Sequence, residues 1–303
     1  MRGLGVTEAL DALPDAFRLV FAVLTQLADV WFVLGLLTLV YWFGERPPLS
    51  LPRERGALLI ALAFGGLSLI VVAKQFFALA RPPLAGEATA IEHVPGFLHA
   101  IYTNAATATG YGFPSGHALT ATVVWGGLAA VLDVGTRTRR ALVAGTIVAV
   151  VCLARLVLGV HYLVDVLAGV ALGLAYLGAI LALARGRARR AFWIAAAIAV
   201  VALLGTVSAD GALALGATAG ALAAWEVLGD RLASSGSMGL GTGVLGILVL
   251  GGGFVAVYLL DVGVVIMALA GMVVGAGVVA MPVLGERLGR RRKGDGATQN
   301  VSR

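Results

Sequence analysis

Three cations, two histidines and one carboxylate stand in this chain where a hydrophobic sequence has least reason to place them. Lys74 lies inside one apolar run and Arg155 near the end of another; His117 opens a third, and His161 and Asp165 open a fourth. Arg81 follows Lys74 by seven residues. Ionisable groups in such runs are costly to hold in a bilayer and are functional candidates by default. Only two lysines, Lys74 and Lys293, occur among the twenty-two basic residues, so position 74 specifies a compact ammonium rather than a generic cation. A set of this kind suits an anion with several oxygens, phosphate foremost. His161 and Asp165 are four apart, a spacing that places them on one helix face. A carboxylate there can accept from one ring nitrogen, fix the tautomer and leave the other nitrogen as nucleophile or base. The run Pro114, Ser115, Gly116, His117 precedes an apolar stretch. Ser115 and Gly116 then sit at a helix N-terminus, whose free N–H groups and dipole make an anion seat. Gly116 lets the backbone come close to the anion, and His117 adds a proton donor.

The elements that must carry these residues follow from composition. The chain is 60% hydrophobic and 13% charged, against about 25% charged in soluble chains. Its charges cluster between apolar runs of about twenty residues, the length that crosses a hydrocarbon core. The fold class expected is all-α: a polytopic transmembrane helical bundle of about nine spans. The spans are placed near 27–43, 57–79, 117–132, 141–159, 162–184, 191–208, 211–228, 242–259 and 262–281. An interfacial segment, 1–26, precedes them. A six-span core covers 27–208, a three-span extension 209–284, and a basic, disordered tail 285–303. The 80–116 segment, with its prolines, His93 and His99, is a long loop of the kind that carries function.

With the 44–56 loop taken as cytoplasmic, seventeen of the twenty-two basic residues fall on the cytoplasmic side. The bias places the N-terminus outside and the C-terminus inside. Lys74, Arg81 and Arg155 break it, and with His117, His161 and Asp165 they all fall at the outer edge. The net charge of +6 is a matter of topology, so no nucleic-acid partner is expected; the bilayer is the partner, and oligomeric state is left open. Cys152, the single cysteine, excludes an internal disulfide and reads as packing. His93 and His99 read as ordinary loop histidines; Asp29, at the outer start of the first span, reads as an interfacial carboxylate, with a place lining the site as the alternative. The spacings Gly169 to Gly173 and Gly271 to Gly275 read as packing within the bundle.

At these residues the sequence resembles the phosphatidic acid phosphatase type 2 and haloperoxidase superfamily, which has three motifs. The first, Lys, six residues, Arg-Pro, is met by Lys74, Arg81 and Pro82. The second, Pro-Ser-Gly-His, is residues 114 to 117. The third, Ser-Arg, five residues, His, three residues, Asp, gives Arg155, His161 and Asp165, with Ala154 where the family usually has serine. The resemblance spans roughly residues 20 to 208 and leaves the last three spans unexplained. It implies an integral membrane lipid phosphatase. His161, oriented by Asp165, would attack phosphorus and form a phosphohistidine, and His117 would protonate the leaving group and then activate water. Lys74, Arg81, Arg155, Ser115 and the Gly116 N–H would bind the phosphoryl oxygens. No metal or other cofactor is implied, because side chains supply the cations. The haloperoxidase branch is soluble, and nine spans argue against it.

Candidate substrates are phosphatidic acid, a phosphatidylglycerol phosphate or a polyprenyl diphosphate. Two other functions are weighed: a lipid phosphotransferase on the same scaffold, and a transporter or phosphate-binding protein. The polar set lies at one edge, whereas transport favours charged or broken helices near the midplane.

Overall fold

The computed structural model describes residues 4–205, 207–235, 238–260 and 263–300, of which Glu8, Asp11, Ala233, Tyr258, Leu259 and 288–300 are described by their backbone alone. Residues 301–303 of the expected tail lie outside the described residues. The described residues form helices joined by turns and loops: α1 (Val6–Asp11), α2 (Asp15–Leu24), α3 (Val30–Phe43), α4 (Arg53–Phe77), α5 (His99–Ala106), α6 (Gly116–Val131) and α7 (Arg137–Val157). The series continues with α8 (Leu163–Ala184), α9 (Ala188–Gly205), α10 (Ala209–Ser234), α11 (Leu240–Gly246), α12 (Gly252–Leu259) and α13 (Val264–Asn300). A chain rich in alanine, leucine and valine that enters hydrocarbon must satisfy its backbone internally, and a helix does so within one segment.

The class is all-α and polytopic, as the sequence implies. Among the described residues seven helices, α11 and α12 counted together as one, are long and apolar enough to cross a membrane. An eighth crossing arises if α2 with its following turn and α3, which meet at a 45° bend, count as one. The α6 helix has 16 residues, about 24 Å at 1.5 Å per residue, short of a hydrocarbon core of about 30 Å. The expected count of nine is therefore reached only by including it. The eighth expected span is α11 and α12 joined through a π-helical turn, Ile247–Gly251. The α13 helix continues to Asn300, through residues that the sequence assigns to a disordered tail.

The chain divides into two compact units, Met1–Gly35 with Leu69–Ala182, and Leu36–Ser68 with Leu183–Arg303. The division does not follow chain order, because α3, α4 and α8 each contribute to both. In the first unit α6 packs on α7, and α1 and α2 pack on α7 as well. Ala118, Leu156 and Val166 bury one patch of α6, α7 and α8 together. Ala28, Ala121 and Val151 bury another, and over it the Trp125 indole N–H donates to the Leu27 carbonyl at 2.9 Å. The α8 helix lies tight on α6. A Cβ on Gly169 would stand 2.5 Å from the Ser115 carbonyl oxygen, and one on Gly173 would stand 2.8 Å from Thr122 Cβ.

In the second unit α10 packs on α13 and α9. A Cβ on Gly216, Gly220 or Gly275 would overlap a backbone carbonyl of the facing helix, and one on Gly271 would come within 2.6 Å of the Leu213 oxygen. The Gly169–Gly173 and Gly271–Gly275 spacings thus both serve packing inside the chain. Tyr41 Oη and Trp42 Nε1 donate to the carbonyls of Val279 and Val278, at 2.9 and 2.8 Å. Arg53 pairs with Glu45 and donates to the Tyr41 and Trp42 carbonyls.

Candidate active site

All eight residues singled out from the sequence belong to the first unit. Lys74 lies three residues before the end of α4. Beyond that end the chain turns at Ala78, whose φ is 47°, and runs alongside Gly112, whose N–H donates to the Leu79 carbonyl at 2.8 Å. Gly112 allows this approach: a Cβ there would stand 3.0 Å from Arg81 Cγ and 3.1 Å from the Ala80 oxygen. The Arg81 guanidinium is then aimed by two carbonyls. Its Nε donates to Thr109 and its Nη1 to Val160, each at 3.0 Å.

Ser115 caps α6. Its hydroxyl faces the Ala118 N–H at 3.5 Å, and its own N–H donates to the Asp165 carbonyl at 2.9 Å. The start of α6 is thereby tied to the start of α8. Lys74 reaches the same helix start, since a Cβ on Gly116 would lie 4.0 Å from the Lys74 ammonium nitrogen. The charge of that ammonium and the positive end of α6 thus act at one place, as an anion seat requires.

His161 stands on the turn between α7 and α8. Gly159, with a φ of 67°, lets the chain reverse there. The sequence places His161 and Asp165 on one helix face, but His161 precedes the helix. Asp165 is instead a capping residue, taking the Tyr162 N–H on Oδ2 at 3.0 Å, in the manner of an acidic third residue reaching back to its N-cap. The same oxygen lies 3.5 Å from His161 Nδ1, close enough for attraction, yet no hydrogen bond to Nδ1 is formed among the described residues. The other ring nitrogen, Nε2, is 3.0 Å from Arg81 Nη1. An arginine N–H only donates, so Nε2 accepts with its lone pair and the ring proton belongs on Nδ1, the side of Asp165. His161, Asp165 and Ser115 are all within 1% of full burial.

Arg155, also buried, donates from Nη1 to the Thr25 hydroxyl at 3.1 Å and to the Ala105 carbonyl at 3.2 Å. Its Nε has no partner among the described residues. The positive charges of Arg155, Lys74 and Arg81 act on both His117 and His161, and His161 acts on His117. Burial lowers the pKa of Arg81, and the charge of Asp165 opposes that shift. Direct contacts thus link His161 to Arg81 and Asp165, Asp165 to Ser115, and the start of α6 to Lys74, while Arg155 stands within the electrostatic reach of both imidazoles and of Asp29.

Residues 56–189 match the family model of the PAP2 superfamily. The eight site residues, from Lys74 to Asp165, all lie inside that PAP2 segment; Thr25 lies outside it. No curated protein matches the chain. A solved structure described as the crystal structure of the first transmembrane PAP2 type phosphatidylglycerolphosphate phosphatase from Bacillus subtilis shares 24% identity with the chain. It covers 58% of this chain and 80% of its own, with a TM-score of 0.44.

The loop histidines make other contacts. His99 pairs with the Val94 carbonyl at 2.8 Å. His93 Nδ1 lies 3.9 Å from Asp15 Oδ2 and 3.7 Å from Glu92 Oε1, all three exposed, and the buried Arg18 places its Nε 3.8 Å from the same Asp15. Sequence reasoning missed four contributors, one of them the Val160 carbonyl that takes Arg81 Nη1. Thr25 and the carbonyl of Ala105 hold Arg155, and Thr109 holds Arg81. Nothing local marks any of them, because each acts through a tertiary contact. His99, Thr103, Asn104, Thr107 and Thr109 line a cleft of about 520 Å³ whose walls carry hydroxyl and amide groups and one imidazole.

Proposed function

We propose that the chain is an integral membrane lipid phosphatase that hydrolyses a phosphomonoester or diphosphate through a phosphohistidine. The observation that carries this reading is the placing of His161: Nε2 lies 3.0 Å from Arg81 Nη1 and Nδ1 lies 3.5 Å from Asp165 Oδ2, which supports a lone pair on Nε2 and the ring proton toward Asp165. A phosphoryl group entering the site offers its equatorial oxygens to Lys74, Arg81, Arg155 and the start of α6, at Ser115 and Gly116. Arg81, drawn to those oxygens, uncovers Nε2. The Nε2–P bond forms as the P–O bond to the lipid breaks, and the leaving oxygen takes a proton from His117. His117 then accepts a proton from water, whose oxygen attacks phosphorus as the N–P bond breaks. Fixed cations around the phosphoryl oxygens stabilise charge in both steps. Side chains supply all of this positive charge, so the proposal needs no metal.

The arginine bias puts the site on the outer side of the membrane, with the N-terminus outside and the C-terminus cytoplasmic. The substrate classes are those named above. Purified protein in detergent, given a panel of lipid phosphates, is expected to release inorganic phosphate from at least one, equally well in excess EDTA. A rapid acid-free quench of labelled substrate should trap label on His161. Phosphate transfer to an added alcohol with none to water would instead favour the phosphotransferase. Phosphate binding without turnover of any lipid would favour a binding protein or transporter.

A further inference from the structure

We infer that Thr25 is a positioning residue for Arg155, so that the segment before α3, read from sequence as an interfacial element, is a structural part of the phosphoryl site. The inference rests on the reading of Arg155 as a phosphoryl-binding group. Four observations carry it. Thr25 is fully buried and its hydroxyl oxygen accepts from Arg155 Nη1 at 3.1 Å. Arg155 is 2% exposed, and both oxygens that meet its Nη1 are neutral. Its buried Nε has no partner among the described residues. The Asp29 carboxylate also acts on its charge, but a buried guanidinium whose Nη1 meets neutral acceptors and whose Nε meets none has a donor left for an anion. The fourth observation is the seat of Thr25 itself. Arg18, also buried, ties α2 to the Val157 carbonyl at 3.4 Å and to the Thr89 hydroxyl at 3.2 Å. The Leu27 carbonyl takes the Trp125 indole N–H at 2.9 Å. The hydroxyl is thus presented from a fixed element on either side of it.

Without the Thr25 oxygen, Nη1 keeps only the Ala105 carbonyl, which lies in the last turn of α5. The guanidinium then has one tether in place of two, and ordering it falls to the incoming anion. Phosphate affinity should drop while His161 and His117 keep their places. Thr25→Val keeps the shape and removes the acceptor; Thr25→Ser keeps the acceptor and removes a methyl group.

The experiment is direct binding of inorganic phosphate to the full-length protein in detergent, by calorimetry, with thermal stability measured on the same samples. Thr25→Val is expected to weaken phosphate about tenfold, within the range of a hydrogen bond to a charged group, and Thr25→Ser to stay within about twofold. On an Arg155→Ala background, Thr25→Val should weaken phosphate no further. If Thr25→Val does not fold, Thr25→Ala read against Thr25→Ser makes the same comparison. Unchanged phosphate affinity in Thr25→Val overturns the inference, as does an equal loss from Thr25→Val with and without Arg155. A wild-type protein that binds no phosphate overturns it together with the reading it rests on. A wild-type protein that binds phosphate but turns over no lipid overturns the phosphatase alone, and the Thr25 comparison still stands.

Discussion

Two helix seams in this chain are built in the same way and end differently. In the first unit Gly169 and Gly173 press α8 onto α6. In the second, Gly216, Gly220, Gly271 and Gly275 press α10 and α13 together. Both rely on missing side chains to bring backbones into contact, the usual device where lipid offers no hydrophobic drive for helix association. The α6–α8 seam ends in polar groups. The Ser115 N–H meets the Asp165 carbonyl, and the cap, the His161 turn and Lys74 gather at that end. The α10–α13 seam buries Ala217, Ala221, Met267 and Val279 along its length. Close packing is therefore shared, and chemistry depends on what stands where a seam stops. The prediction is that damage to the first seam shows in turnover and damage to the second shows in stability.

The largest effect should come from the polar end of the α6–α8 seam. His161→Ala removes the proposed nucleophile and is expected to lower phosphate release by at least about 10³-fold, with thermal stability nearly unchanged. Substantial phosphate release by this variant would remove His161 from its role. Gly169→Ala tests the seam behind it. The new Cβ would stand 2.5 Å from the Ser115 oxygen and 2.9 Å from Ala118 Cβ, so α8 must shift and carry Asp165 away from Ser115. Misplacement of this size costs about 10- to 100-fold in kcat/KM. A Gly169→Ala protein with native turnover would show that the seam does not set the site.

Much of this was legible in the sequence because a bilayer makes polar residues conspicuous. Lys74, His117, Arg155, His161 and Asp165 stand out against apolar runs, and Lys74, His161 and Asp165 all stand at the joined starts of α6 and α8. Helix existence was equally plain, as each expected span falls on a helix. Geometry was less legible. The spacing of four between His161 and Asp165 correctly brought them together, but through a capping turn rather than a shared helix face, because α8 begins only at Leu163. The bend before α3 and the π-helical turn at Ile247–Gly251 left no periodic mark. The short helix α5 was missed as well, since HAIYTNAA is neither long nor strongly apolar. Thr25 could not be found at all, because a threonine's value here comes from an arginine 130 positions away.

Gly275→Ala examines the second seam. Its Cβ would overlap the Ala217 backbone, and overpacking of this kind costs about 1–3 kcal/mol. A lower melting temperature in detergent is expected, with phosphate release per folded molecule unchanged. Loss of turnover at native stability would erase the contrast between the seams.

The smallest effect should fall on the cleft lined by His99, Thr103, Asn104, Thr107 and Thr109. It shares Thr109 with the Arg81 contact, so it lies next to the place where phosphoryl oxygens would bind. Its lining has hydroxyls and an amide but no carboxylate, which suits the hydroxyls of a polyol head group better than a quaternary amine. Asn104→Leu removes one neutral hydrogen-bonding group, worth about 2- to 10-fold. The expected result is a loss of that size in kcat/KM for a phosphatidylglycerol phosphate and none for phosphatidic acid, which has no second glycerol to bind. Equal losses on both lipids would move Asn104 from head-group selection to support of the loop. No change on either would leave the cleft outside substrate recognition, and selectivity would then have to reside in the cations and histidines themselves.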